Sequence, residues 1–195
     1  KTDVSCSGGD NGEATVSVNG GTLFYSYNWI PYGGNSATAI GLIAGTYTVV
    51  VTDINGCFTS VDVTIDEPVL SLSATATIVE TSCFGSSNGS ATVNPVGGTP
   101  GYTYLWAPFG GTGQTATGLS SGNYTVTVLD TNSCEANISV VITEPPVLEG
   151  VLDTINPSCE LFNGSISTLI TGGTGPYTYL WAPGGEITPN LSNLA

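Results

Sequence analysis

Apolar residues recur at every second position along most of this chain. Ala14, Val16 and Val18 alternate with Thr15 and Ser17, and Tyr25, Tyr27 and Trp29 with Ser26 and Asn28. Tyr47 to Thr52 is dense in β-branched residues, and Val61, Val63 and Ile65 alternate with Asp62 and Thr64. A period of two places alternate side chains on one face of a β-strand. The strands are separated by turn signals: Gly20-Gly21, Pro31-Tyr32-Gly33-Gly34 and Asp53-Ile54-Asn55-Gly56, where glycine and asparagine supply left-handed backbone. No stretch carries a helical period. Six or seven short strands between such turns predict a small antiparallel β-sandwich, immunoglobulin-like in kind.

The same order is written again. Trp29 and Trp106 are 77 positions apart, Trp106 and Trp181 are 75 apart, and the Glu67-Pro68 pair returns 77 positions on at Glu144-Pro145. The predicted organisation is a β-sandwich unit over 1–68, a second over 69–146 and a third, cut short, over 147–195. The junctions, Glu67-Pro68-Val69-Leu70 and Glu144-Pro145-Pro146-Val147-Leu148, are short, rich in proline and free of glycine. Spacers of that kind are semi-rigid, so the all-β units are expected to stand in line as an extended rod.

The most distinctive stretch is a Gly-Gly turn followed by alternating aromatics: Tyr25, Tyr27 and Trp29, then Tyr102, Tyr104 and Trp106, then Tyr177, Tyr179 and Trp181. Rings on one face of so short a strand are expected to fill the core beside Val49 and Val126. The competing reading is an exposed platform for stacking on sugars.

Cysteine spacing also repeats. Cys6 and Cys57 are 51 apart, as are Cys83 and Cys134. Equal spacing predicts one bridge within each unit, Cys6–Cys57 and Cys83–Cys134, each contributing about 4 kcal/mol by loop closure. Cys159 is expected to find its partner beyond Ala195. Paired cysteines place the chain in an oxidising, extracytoplasmic setting.

Charge narrows the function. There are 15 acidic residues against one basic residue, Lys1, and no histidine. Binding to nucleic acid needs cations against phosphate, so that partner class is set aside. No run of about 18 apolar residues predicts a membrane-spanning helix, and direct insertion into a membrane is not expected. Catalysis lacks a histidine base, and no cofactor is implied. Asp53, Asn55, Asp130 and Asn132 are weak candidates for calcium, because a full ligand loop of six to eight oxygens is absent; a turn is the expected role.

The combination Asn-Gly-x-Ala-Thr-Val, Gly-Gly-Thr, Tyr-x-Tyr-x-Trp, Gly-x-Tyr-Thr-Val and Asp-x-Asn-x-Cys resembles the SprB-type repeat. That resemblance implies a segment of a very long surface adhesin of gliding Bacteroidetes, exported by type IX secretion and without catalytic residues. The expected function is a structural stalk in a cell-surface filament serving gliding or attachment. The expected partners are neighbouring repeats of the chain, with surface glycans or other filament components as further candidates. Two other readings fit the same residues: a glycan-binding module, and a spacer in a secreted multidomain enzyme. Asp153-Thr154-Ile155 resembles an acceptor motif for O-glycosylation at Thr154.

Overall fold

Residues 1–159 and 161–194 are described by a computed structural model, and every regular element among them is a β-strand. The strands are β1 Gly12–Thr15, β2 Ser26–Ile30, β3 Thr38–Leu42, β4 Gly45–Thr52 and β5 Phe58–Ile65, then β6 Ser73–Val79, β7 Gly89–Val96, β8 Thr103–Ala107, β9 Thr115–Leu119, β10 Gly122–Leu129 and β11 Glu135–Ile142. They close with β12 Glu149–Ile155, β13 Gly164–Thr171 and β14 Asn190–Leu194. All sheets are antiparallel and small. The pattern of alternating burial along β4 and β10, with every second residue inside, is the one the sequence predicts.

The second unit is the most fully formed. Its sheets, β6-β7-β9 and β11-β10-β8, pack an apolar core of Ala91, Val93, Trp106, Ala116, Leu119, Tyr124, Val126, Val128, Val140 and Ile142 between them. This is an immunoglobulin-like sandwich of two three-stranded sheets. In the first unit, β1-β3 and β2-β4-β5 repeat that arrangement. The partner corresponding to β6 is represented there by a single bridge, Thr2 with Glu13, which occupies the register of Val79 with Ser90. In the third, β12-β13-β14 repeats β6-β7-β9.

Each aromatic strand does a defined job. Trp29 lies opposite Val49, and Trp106 opposite Val126, and both indoles are 4% exposed. Burial of one such ring contributes about 4–6 kcal/mol from its area alone. The indole N–H is not left unpaired: Trp29 donates to Ser36 O, Trp106 to Gly113 O and Trp181 to Thr188 O, each at 2.9 Å. The tyrosines sit further out. Tyr25, Tyr27, Tyr102 and Tyr104 are half-buried against the two cores, and Tyr25 and Tyr102 donate their hydroxyls to Gly20 O and Gly97 O. In the third unit, Tyr177 is exposed and Tyr179 and Trp181 half-buried, and the stretch is not a strand. The β10-like partner that would zip against it has no counterpart among strands β12 to β14.

The turn after each tryptophan is closed by its own backbone bond: Trp29 N–H to Gly34 O at 3.3 Å, Trp106 N–H to Gly111 O at 3.1 Å and Trp181 N–H to Glu186 O at 2.9 Å. Gly110 has φ +133°, and a Cβ there would stand 2.8 Å from Trp106 Cβ and 3.1 Å from Ala116 Cβ. Gly111 has φ +79° but open space around it. Gly110→Ala is therefore expected to destabilise the second unit by about 2 kcal/mol or more, from combined strain and overpacking. Gly111→Ala, with strain alone, should cost about 1–2 kcal/mol. Urea unfolding followed by tryptophan fluorescence measures both, and equal losses would contradict the packing account.

Candidate functional site

The recurring polar residues gather at the two ends of the sandwich. At one end is the loop Ser5-Cys6-Ser7. Asn11 folds it: its Oδ1 accepts from Ser5 N at 2.9 Å and its Nδ2 donates to Ser5 Oγ at 2.7 Å. The loop is tied to the end of β5 by Val4 N donating to Asp66 O and by Gly8 N donating to the Glu67 carboxylate. The second unit repeats each device. Asn88 holds Ser82, and Glu144 accepts from Gly85 N. In the third unit, Asn163 holds Ser158.

At the opposite end is the hairpin turn. Asp130 Oδ1 accepts from Asn132 N and Cys134 N, both at 2.9 Å, while Oδ2 accepts from Thr99 N at 2.7 Å. Asn132 Nδ2 donates to Thr99 Oγ1 at 3.0 Å. The first unit has the same brace, with Asp53 accepting from Asn55 N, Cys57 N and Thr22 N. These are the residues the sequence marked as weak calcium candidates. Their carboxylates are occupied by backbone N–H groups, so they lock the Gly-Gly-Thr loop onto the hairpin. Among the described residues no cluster of three or more His, Cys, Asp or Glu side chains is placed to hold a metal.

The expected bridges within units do not form. Cys57 precedes β5 and the Cys6 loop is bonded to residues just after it, so the length of β5 separates them. Eight residues of strand span roughly 25 Å, whereas a disulfide needs Cα atoms within about 7 Å. The same holds for Cys83 and Cys134 across β11. Instead Cys6 of the first unit is bonded to Cys134 of the second, with Cα atoms 5.6 Å apart and the two positions 128 apart in sequence. Cys57, Cys83 and Cys159 are unbridged and exposed.

The bridge makes a junction between units. Asn132 Nδ2 also crosses it, donating to Ser5 O at 3.1 Å. The connecting chain runs alongside: Gly98 N donates to Leu70 O at 2.8 Å, and a Cβ on Gly97 would lie 2.2 Å from Ser71 O. The Gly-Gly turn, read from the sequence only as a turn, is thus the seat on which the incoming linker lies. Two covalent tethers, the linker and the disulfide, hold one junction.

The profile of the SprB repeat family matches residues 1–34, 75–111 and 152–186, together more than half of the chain. The chain belongs to the SprB repeat family. Each matched segment ends just past its tryptophan, at the turn that closes on it. SprB repeats form adhesin-type regions at the cell surface, and they are structural rather than catalytic modules. A disulfide suits that exposed setting, and no helix among the described residues is long and apolar enough to cross a membrane. No match is found among curated proteins. Among solved structures, the eight N-terminal immunoglobulin domains of Down Syndrome Cell Adhesion Molecule, isoform 1.30.30, align at 14% identity over 100% of this chain and 31% of that one, with a TM-score of 0.36. This chain therefore spans about a third of the length of that eight-domain chain.

Two outcomes follow from this SprB junction. Between Cys6 and Cys134 the disulfide is a covalent shortcut across 128 positions. Stretched by its ends in a single-molecule experiment, the reduced chain should extend further than the oxidised chain by roughly 400–450 Å, at about 3.3–3.6 Å per residue. Equal contour lengths would refute the bridge.

The second concerns acid. Burial by itself would raise the Asp130 carboxyl, but the N–H donors of Thr99, Cys134 and Asn132 outweigh it and hold it below the ordinary value of 3.8. The Asp53 carboxyl is likewise held low, by Thr22 N first. A depressed carboxyl contributes stability that is complete above its unfolded value and is lost as pH falls through the folded one. Unfolding free energy should therefore be flat above pH 5 and fall below about pH 4. Asp130→Ala should remove about 2–4 kcal/mol at neutral pH, with less acid dependence left. An unchanged acid limb in that variant would contradict the assignment.

Proposed function

We propose that this chain is a structural stalk segment of a long secreted adhesin filament at the cell surface, in which the sandwich units 1–68, 69–146 and 147–195 stand in line. The observation that carries this reading is the junction: a disulfide and a short linker attach neighbouring units at two separate points, which resists bending and hinging. The recurring residues serve that end. Glu67 and Asn11 shape one face of the joint, Asp130 and Asn132 the other, and the tryptophans hold the units rigid between them. The partners of each unit are the neighbouring repeats of its own chain. Burial of Trp29 and Trp106 supports a core role over a glycan platform, and the array serves surface attachment or gliding through parts of the filament beyond these units.

Export by type IX secretion in a member of the Bacteroidetes fits this reading. So does O-glycosylation of Thr154, which lies exposed on β12, in the register position that Ile78 holds on β6. Native material carrying a hexose-spaced mass excess on the Thr154 peptide would support the modification, and an unmodified peptide would reject it.

Electron microscopy of intact cells labelled with antibody to these units tests the stalk. Labelled thin filaments reaching away from the envelope are expected. Label confined to compact particles, or present only in the medium, would overturn the filament in favour of a secreted multidomain protein.

A further inference from the structure

The bridge between the first two units leaves three cysteines, Cys57, Cys83 and Cys159, exposed and unbridged. None is an isolated thiol by position. Cys57 stands in the first unit where Cys134 stands in the second, directly after an Asp-x-Asn hairpin turn whose aspartate accepts from the cysteine N–H in both cases. Cys83 stands where Cys6 does, in the first loop, held by the same asparagine and glutamate contacts. Cys159 follows Ser158 in the loop that Asn163 holds. The chain therefore presents one hairpin-end cysteine and two first-loop cysteines in the settings that, at the one junction formed by two complete ends, make a disulfide.

The surface around Cys57 carries the second half of the argument. Beside it lies an open cavity of about 170 Å³ lined by Gly20, Gly21, Tyr25, Asp53, Cys57 and Phe58, among others. The matching place in the second unit is partly filled by the incoming linker, where Leu70 O receives Gly98 N and Leu72 Cβ lies 3.2 Å from where a Gly98 Cβ would stand, leaving a cavity of about 140 Å³ that Ser71, Leu72 and Cys6 line together with Gly98 and Cys134. Asn55 donates to Thr22 Oγ1 as Asn132 does to Thr99 Oγ1, but the further bond that Asn132 makes across the joint to Ser5 O has no equivalent at Asn55. The surface is shaped for the linker and first loop of another such unit.

We propose that the Cys6–Cys134 bridge is one rung of a ladder: each hairpin-end cysteine of the array is bonded to the first-loop cysteine of the unit before it, so that Cys57 pairs with the cysteine 128 positions earlier, and Cys83 and Cys159 pair with hairpin-end cysteines of the units that follow. This rests on the stalk reading, which supplies the neighbouring units. Each rung forms by thiol–disulfide exchange with an organic disulfide. The thiolate of one cysteine attacks it and releases one thiol, and the partner thiolate then attacks the mixed disulfide and releases the second. Two cysteines lose two protons and two electrons, and the organic disulfide becomes two thiols. The loops overlap. A covalent path leaves the backbone at Cys6, rejoins it at Cys134, follows 25 positions to Cys159 and leaves again. Unfolding a unit between two rungs cannot lengthen that path, so tension on the filament bypasses most of the chain.

The test is disulfide mapping of the native full-length protein, with free thiols alkylated on intact cells before peptic digestion in acid, where exchange is suppressed. The expected result is no alkylation at Cys57, Cys83 or Cys159, and linked peptides joining Cys57 to a first-loop cysteine and Cys83 to a hairpin-end cysteine of the adjacent units. Alkylated thiols at these positions, or Cys57 linked to anything but a first loop, would overturn the ladder. If the peptides of the native protein contain no further units with cysteines in these settings, the array reading falls as well. If such units are present and the thiols are free, the ladder alone falls.

Discussion

A strand of eight residues is too long for a disulfide to reach around. That length fixes what the cysteines of this chain can do. β5 and β11 carry the backbone from the hairpin end of a sandwich to the end where the first loop lies, and each unit places one cysteine at either end. A staple inside the unit is excluded by distance. A staple between units needs only that the two ends meet, and they meet because a short linker leaves one end and enters the other. The disulfide then contributes to how units are joined, while the core of each unit is held by apolar burial around its tryptophan.

The polar residues form a second layer of the same design. Asp53 and Asp130 each accept from three backbone N–H groups of the hairpin and the Gly-Gly-Thr loop. Asn11 and Asn88, with Glu67 and Glu144, do the equivalent work at the other end. Asp130 is buried and Asp53 half-buried, and buried polar groups held by several hydrogen bonds make a structure specific. Here the specificity is spent on the shape of two complementary end faces. That use explains why acidic residues recur at these positions in a chain with almost no cations to balance them.

Much of this was legible in the sequence, and the missing part has a physical cause. The period of two placed the strands, and Trp29 and Trp106 lie against Val49 and Val126 as the aromatic alternation implies. The hairpin turns at Asp53 and Asp130 were legible from their turn residues. The aromatic stretch ending at Trp181 was read as a strand and is not one, because a strand needs a neighbour to pair with. The cysteine pairing was misread because spacing reveals which positions are equivalent, not which are adjacent. Any pair 51 apart in a repeat of 77 has an alternative 128 apart, and only the direction of β5 and β11 distinguishes them. The roles of Glu67 and Gly97 were hidden for a similar reason: each acts on a backbone group that folding brings near from the far side of a linker or sheet.

The central claim is that the covalent tie runs between units and not within them. Disulfide mapping of this 195-residue chain, refolded under oxidising conditions and digested with pepsin in acid, tests it most directly. The account predicts a linked peptide pair containing Cys6 and Cys134, with Cys57, Cys83 and Cys159 reactive toward an alkylating reagent. Linked pairs containing Cys6 with Cys57 and Cys83 with Cys134 would contradict it.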